Sequence, residues 1–428
     1  MDALVLLGSL FALIAIGVPV AYALGLAAIV GAFWIDLPLE ANMIKISDGV
    51  NKVSLLAIPF FVLAGAIMAE GGMARRMVNF AHVLVGFIRG GLSIVNILAS
   101  SMFGCISGSS VADTSSIGSV MIPQMEKAGY PRVFAVNVTI CGSVQAILIP
   151  PSHNAVIYSM ALGGSVSIAH LLIAGFFPGL LLGICLIFLC LFIAKRENYP
   201  KGRAIPLREA VPIAIDALWG LGTMVIILGG IIGGIFTATE AAAVACVYAF
   251  IVTMFIYRDY KWGELHLLIH RTIKTVSMVM ILIAFASSFG YLLALMQLPL
   301  KITNFFLTVS DNKYVILLLI NILLLFLGTL MDLAPLLLIT APILVPVVVK
   351  FGVDPVHFGM IMLVNLGMGL VTPPVGSVLF VGCAIGKVSI EQVTKTIWPF
   401  YLAMLVVLGL VTYIPAISTW LPYFVLGQ

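Results

Sequence analysis

Two tandem prolines, Pro150-Pro151 and Pro373-Pro374, stand 223 residues apart, each in the middle of an apolar stretch. Proline removes a backbone donor and pushes its predecessor out of the helical region, so each stretch must be two half-helices around an unwound centre. A short hydrophobic hairpin precedes each pair. The first turns at Ser107-Gly-Ser-Ser-Val-Ala-Asp113 and the second at Gly328-Thr-Leu-Met-Asp332-Leu-Ala-Pro335. The same offset relates Pro123 to Pro346, Gly129 to Gly352, and Ala161 and Gly163 to Ala384 and Gly386. Duplicated, interrupted hydrophobic segments mark secondary transporters, with substrate and ion sites at the interruptions.

The setting is lipid. Of 428 residues, 62% are apolar and 9% charged, against about 25% charged in a soluble domain. The apolar runs are too continuous for barrel strands, and only helices and closed barrels satisfy the backbone in a bilayer. The expected fold is therefore all-α and polytopic. No phosphate loop of the GxxxxGK[ST] type is present, and nothing suggests nucleic acid as a partner. The apolar start to Phe33 lacks the basic region of a signal peptide and reads as a first span. The six cysteines read as small buried hydrophobes. His266 and His270, four apart beside Glu264, could share a metal, but without an HExxH arrangement they read as a solvated face.

Candidate spans cover about 3–33, 50–70, 166–194, 210–235, 237–257, 274–296 and 397–420, each near the roughly 20 residues a crossing needs. The broken stretches are 132–163 and 357–386. The hairpin arms, 92–106 with 114–127 and 313–327 with 336–350, are about 15 residues each and reach about 22 Å, short of a core of about 30 Å. They read as re-entrant. Residues 73–90 and 299–312 read as interfacial amphipathic helices or plain connectors. The chain divides into N-terminal scaffold spans (1–70), a first repeat (71–194), a basic loop with central scaffold spans (195–274), and a second repeat (275–428).

Basic residues set the orientation. Lys195, Arg196, Lys201, Arg203 and Arg208 mark one loop as cytoplasmic, and Arg258, Lys261, Arg271 and Lys274 mark another. Counting from these, the first hairpin opens to the cytoplasm and the second to the outside, so the repeats are inverted. The count puts Met1 inside and Gln428 outside.

The tips and breaks carry the chemistry. Hard cations such as Na⁺ take hydroxyls, unwound carbonyls and half-helix ends as ligands. A first cation site is expected from Ser107, Ser109, Ser110 and Asp113 with Ile149 and Pro150. A second is expected from Gly328, Met331 and Asp332 with Thr372, Pro373 and Gly376. Half-helix N-termini offer amides to an anionic substrate, which places substrate near Ser110, Ser152, Asn154, Pro374 and Ser377. Either aspartate could instead only cap a helix, although a carboxylate at membrane depth is costly unless it has a function. Thr237-Ala-Thr-Glu240 is a capping box. Asp216 has no evident role, and His153 reads as packed or substrate-adjacent. Ser152-His153 lacks the third group of a hydrolytic triad.

These tips and breaks, with Ile58-Pro-Phe-Phe-Val-Leu-Ala-Gly65 and Gly233-Gly-Ile-Phe-Thr-Ala-Thr-Glu-Ala-Ala-Ala243, resemble the large membrane (M) subunit of tripartite ATP-independent periplasmic (TRAP) transporters. The resemblance spans essentially the whole chain. It implies an elevator-type carrier of the bacterial inner membrane, coupled to Na⁺, with no organic cofactor. It also implies a small four-helix membrane subunit and a periplasmic binding protein that delivers a carboxylate, either a sugar acid such as sialic acid or a C4-dicarboxylate. A stand-alone Na⁺/dicarboxylate symporter of the same superfamily, a channel and an intramembrane hydrolase are the other readings.

Overall fold

The computed structural model describes residues 2–202 and 205–427. Met1, Arg203 and Gln428, used above for orientation, lie outside them. Among the described residues all regular structure is helical except for one isolated antiparallel bridge between Arg89 and Lys201.

The repeat holds to the residue. The second arms of the two hairpins, Ser110–Lys127 and Leu333–Lys350, begin and end at the same offset, and the first arms, Gly91–Ser107 and Lys313–Leu330, end at it too. Short amphipathic helices, Met73–Val85 and Leu298–Val309, lead into the hairpins as expected for 73–90 and 299–312. The broken helices follow. The first runs Arg132–Ser143 and Gln145–Leu148, stops, and resumes at His153–Ala161 with a 54° bend. The second runs Pro355–Gly369, stops, and resumes at Ser377–Gly386. Both Pro-Pro bonds are cis.

Each hairpin tip is seated on its own break. A side chain at Gly108, in the left-handed region at φ +59°, would stand 2.6 Å from the Pro151 carbonyl. At the second tip the backbones of Gly328 and Gly369 touch, so that a Cβ on Gly369 would lie 2.6 Å from the Gly328 oxygen. Val375 there donates its amide to Thr329 O at 3.2 Å. The halves interlock: Ser110–Lys127 packs on Ser377–Gly386, and His153–Ala161 on Leu333–Lys350.

Three expectations need correction. The hairpin arms have 17 or 18 residues rather than about 15, so they reach about 27 Å. Their re-entrant character rests on the seating of each tip against its break and not on arm length. The stretch 3–33 is two antiparallel helices, Asp2–Ala15 and Val20–Trp34, turning at Gly17 (φ +89°) and Pro19. Asp2 therefore returns to the end of the molecule that holds Trp34 and Lys301, whose side chains donate to it at 3.3 and 3.1 Å. The Lys301 bond, then the Trp34 bond, hold its carboxyl below the usual range. Lys301 lies on the helix that leads into the second hairpin at Lys313, so two helices in place of one span put residue 2 on the side of Trp34. Finally, most of the basic segment 258–274 is helical, because Leu265–Leu295 starts well before the expected span. His266 and His270 are exposed on it.

The other spans stand close to their expected positions: Val53–Glu70, Ile168–Arg196, Leu207–Ile232 and Ala238–Tyr257, with Trp398–Tyr413 bending 54° into Ala416–Leu426. Thr237 and Glu240 form the capping box, worth about 1 kcal/mol. Asp216 finds its role across 140 residues. Its carboxylate accepts from Arg76 Nε at 2.9 Å, while Arg76 Nη1 reaches Asp259 at 2.6 Å and the guanidinium lies 3.7 Å from the Tyr257 ring centroid. The helix leading into the first hairpin is thereby tied to the two central spans by charge-assisted bonds.

Single cysteines at Asp2 and Lys350 should label with an impermeant thiol reagent from one face of the membrane, and one at Lys127 from the other. Labelling of Lys127→Cys and Lys350→Cys from one side would refute the inversion. Labelling of Asp2→Cys from the side that labels Lys127→Cys would refute the placement of residue 2 beside Trp34 and Lys301.

Candidate functional site at the two tips and breaks

Asp113 lies one turn into the second arm of the first hairpin, fully buried, with neither carboxylate oxygen in a hydrogen bond. It is not the cap of that arm. Ser109 holds the N-cap position and accepts from Ala112 N at 3.4 Å. The hydroxyls of Thr114 and Ser152 are also buried without partners, and the Ser100 hydroxyl faces the Asp113 carboxylate. A buried hydroxyl or carboxylate without a partner costs several kcal/mol, of order 2–7 for the neutral group alone.

The structure brings the expected first-site residues together. Ser107 and Ser110 are buried, and the Ser110 hydroxyl donates to the Ser143 carbonyl at 2.8 Å, tying tip to broken helix. Ile149 leaves helical geometry at ψ 127° just before Pro150, so its carbonyl turns away from the half-helix. Ser152 stands at the N-cap of His153–Ala161 but makes no capping bond, and Asn154 is buried two residues further on. The first turn of that half-helix therefore presents amides unclaimed by a side chain, a site suited to an anion. No group of three or more His, Cys, Asp or Glu side chains able to hold a metal occurs among the described residues. The available ligands are hydroxyls, carbonyls and single carboxylates, oxygen donors of the kind that suit a hard cation.

The second site differs. Asp332 is exposed and stands at the N-cap of Leu333–Lys350 without capping it. Its carboxylate instead accepts from Ser377 Oγ at 3.2 Å, joining tip to break. It borders a mostly apolar cavity of about 280 Å³ between the turn near Pro19 and Tyr22 and the long helix around Met278. Met331 is buried, and Gly328 is in the backbone contact already described.

The break itself is less open than the prolines imply. Tyr401 donates to Val371 O at 2.7 Å, Gly376 N to Thr372 O at 3.2 Å, and both Val378 N and Leu379 N to Leu370 O. The Thr372 hydroxyl donates to Met368 O at 2.7 Å. The carbonyls around Pro373 and Pro374 are thus largely engaged, and the second and third amides of Ser377–Gly386 are satisfied within the chain. An incoming anion meets freer amides at the first break than at the second.

Sequence reasoning missed the supports. Asn365 donates to Asn321 O and Oδ1, both at 2.9 Å, and Asn321 to Thr412 Oγ1 at 2.9 Å, linking hairpin, broken helix and the span after it. In the first half, Ser101 donates to Gln145 Oε1 at 2.6 Å and Asn96 to Thr139 at 2.7 Å. Lone amides inside apolar runs were the available signal, since such groups must find partners.

Comparison with known proteins agrees with this architecture. Residues 7–417 match the family described as Tripartite ATP-independent periplasmic transporter, DctM component. The chain is 43% identical over 423 residues to the uncharacterized protein YgiK of Salmonella typhimurium, covering 98% of this chain and 97% of that one. It is 38% identical to the C4-dicarboxylate TRAP transporter large permease protein DctM of Rhodobacter capsulatus, covering 99% of each. It is 39% identical to the isethionate TRAP transporter permease protein DctMQ of Oleidesulfovibrio alaskensis, covering 97% of this chain and 66% of that protein. Among solved structures, the YdaH transporter of Alcanivorax borkumensis shares the fold at a TM-score of 0.62 and 14% identity, covering 92% of this chain and 90% of that one. From one proline pair to the other and well beyond both, the chain belongs to the DctM-component family, the large permeases of TRAP transporters.

Proposed function

We propose that this large permease carries out Na⁺-coupled uptake of a small organic carboxylate across the bacterial inner membrane. The observation that carries the reading is Asp113, a fully buried carboxylate faced by the Ser100 hydroxyl and, among the described residues, in no ion pair. Such a charge is tolerated at membrane depth only when compensated. A Na⁺ held by Asp113, Ser107, Ser110 and the Ile149 carbonyl supplies the compensation. Asp332 with Ser377 forms the second cation region, by direct ligation or through a bridging water, with Gly328, Met331, Thr372, Pro373 and Gly376 around it. The substrate carboxylate is received at the free amides of Ser152, His153 and Asn154, with Ser110, Pro374 and Ser377 close by.

Movement follows from the seating of the tips. Each tip is fastened to its break, so hairpins and broken helices travel together as one body against the N-terminal and central spans, an elevator. The C4-dicarboxylate and isethionate relatives both carry organic anions by name. At nearly equal identity they support the substrate class and leave its member open. The DctMQ relative is longer than the part this chain covers, which supports a separate small membrane subunit as a partner here, together with a periplasmic binding protein.

Reconstituted in liposomes with a small permease and a binding protein, the chain should show uptake that depends on a Na⁺ gradient. Asp113→Asn should raise the Na⁺ needed for half-maximal uptake about tenfold or more, the size expected for losing one charge-assisted contact. Asp332→Asn should raise it by a smaller factor, because that carboxylate is exposed. Assembly, followed by gel filtration, should be retained. An unchanged Na⁺ response in both variants would overturn the cation sites.

The permease alone should move less than about a tenth of the substrate moved by the full set, a loss equal to about 1.4 kcal/mol or more in rate terms. Full uptake without partners would favour the stand-alone symporter.

A further inference from the structure

A second cavity, of about 220 Å³, lies between the helix Leu39–Val50, the long helix Leu265–Leu295, the end of the first broken helix and the second hairpin. One wall belongs to Lys45 on the amphipathic helix Leu39–Val50, Lys52 just after it, and Tyr291 on Leu265–Leu295. The facing wall comes from the parts that carry the tips and breaks: Ala161 at the end of the first broken helix, and Leu338 and Pro342 on the second hairpin. Two lysines line this cleft and no carboxylate does. The Lys45 ammonium sits 5.2 Å from the centroid of the Tyr291 ring, turned inward to the cleft. Its one ionic contact is Asp48 at 3.5 Å, more than half exposed and outside the lining. Among the described residues Lys52 is in no ion pair.

Two like charges in a cleft with low-dielectric walls focus their field on an approaching anion. Lysines on an interfacial helix more often lie toward lipid phosphate. Here the cavity they line runs between two parts of the protein, one of which holds the substrate amides. We infer that it is an entry vestibule for the organic anion, in which Lys45 and Lys52 draw the carboxylate between the two walls before it reaches Ser152 and Asn154. This inference rests on the proposed uptake of an anion.

The test uses Ala161→Cys in the assembled, reconstituted complex, with the unsubstituted chain as background for the native cysteines. The rate of reaction with an anionic methanethiosulfonate, MTSES, is compared with that of the cationic MTSET. Lys45→Gln/Lys52→Gln should lower the MTSES-to-MTSET ratio about three- to tenfold at low salt and less at 0.5 M salt. Lys45→Arg/Lys52→Arg should keep it. With labelled succinate as the transported probe, the Gln pair should raise KM by a similar factor and leave Vmax near that of the parent. An unchanged reagent ratio overturns the vestibule. A changed ratio with unchanged KM overturns it as an entry route and leaves a lipid-phosphate site. Failure of the parent complex to transport any organic anion would count against the proposed function, while the reagent ratio, which needs no transport, still decides whether the cleft gathers anions.

Discussion

An interrupted helix at membrane depth survives only if protein or water, not lipid, covers its open backbone. That constraint organises this chain. Each break is covered by the tip of a hairpin that precedes it in sequence, and the cover is close: Gly108 lies against the Pro151 carbonyl, and Gly328 against Gly369. Side chains at these points would force tip and break apart, at about 1–3 kcal/mol for modest overpacking. The same contact that satisfies the backbone also gathers hydroxyls, carbonyls and a carboxylate in one place. Covering the break and building the site are one structural act.

The sites nevertheless diverge within one repeated frame. Ser109 and Asp332 occupy equivalent positions, both at the N-cap of a second arm, but only Ser109 caps. Asp113 is matched by Leu336 in the second half. One tip therefore carries its carboxylate one turn inside the arm, sealed from solvent, and the other carries it at the very tip, open to a cavity. Burial decides how costly each charge is, since an exposed carboxylate keeps its water and a sealed one does not. The break carbonyls follow the same division. Tyr401 and the amides of Val378 and Leu379 occupy those of the second break, while at the first the Ser152 carbonyl accepts only from Ala155 N and the Ser152 hydroxyl has no partner.

Much of this was legible from residue spacing. The proline pairs located the breaks, the offset located the arms and their closing glycines, and Thr237-Ala-Thr-Glu240 located a cap. The N-terminal hairpin was missed although Gly17 and Pro19 signalled it, because a four-residue interruption in an apolar run resembles the tolerated prolines of membrane helices. What no local pattern could show were bonds between distant parts: Asp216 to Arg76, Tyr401 to the second break, Asn321 to Asn365. Each partner is an ordinary residue in its own segment and acquires a role only when the helices pack.

Those long-range bonds also separate two kinds of connection in the molecule. Within the hairpins and broken helices, contacts are buried and close: glycine against backbone, amide to amide, hydroxyl to carbonyl. Between that body and the central spans, the named ties are charged and nearer the surface, as with Arg76 to Asp216 and Asp259, whose carboxylates are about half exposed. Water can replace such ties at small cost, because exposed ion pairs are worth about 0–1 kcal/mol, whereas the buried set has no substitute partner in lipid. If one body moves against the other, the boundary of least resistance therefore runs through the charged ties and the two clefts, at Asp332 and at Lys45, and leaves each tip fastened to its break.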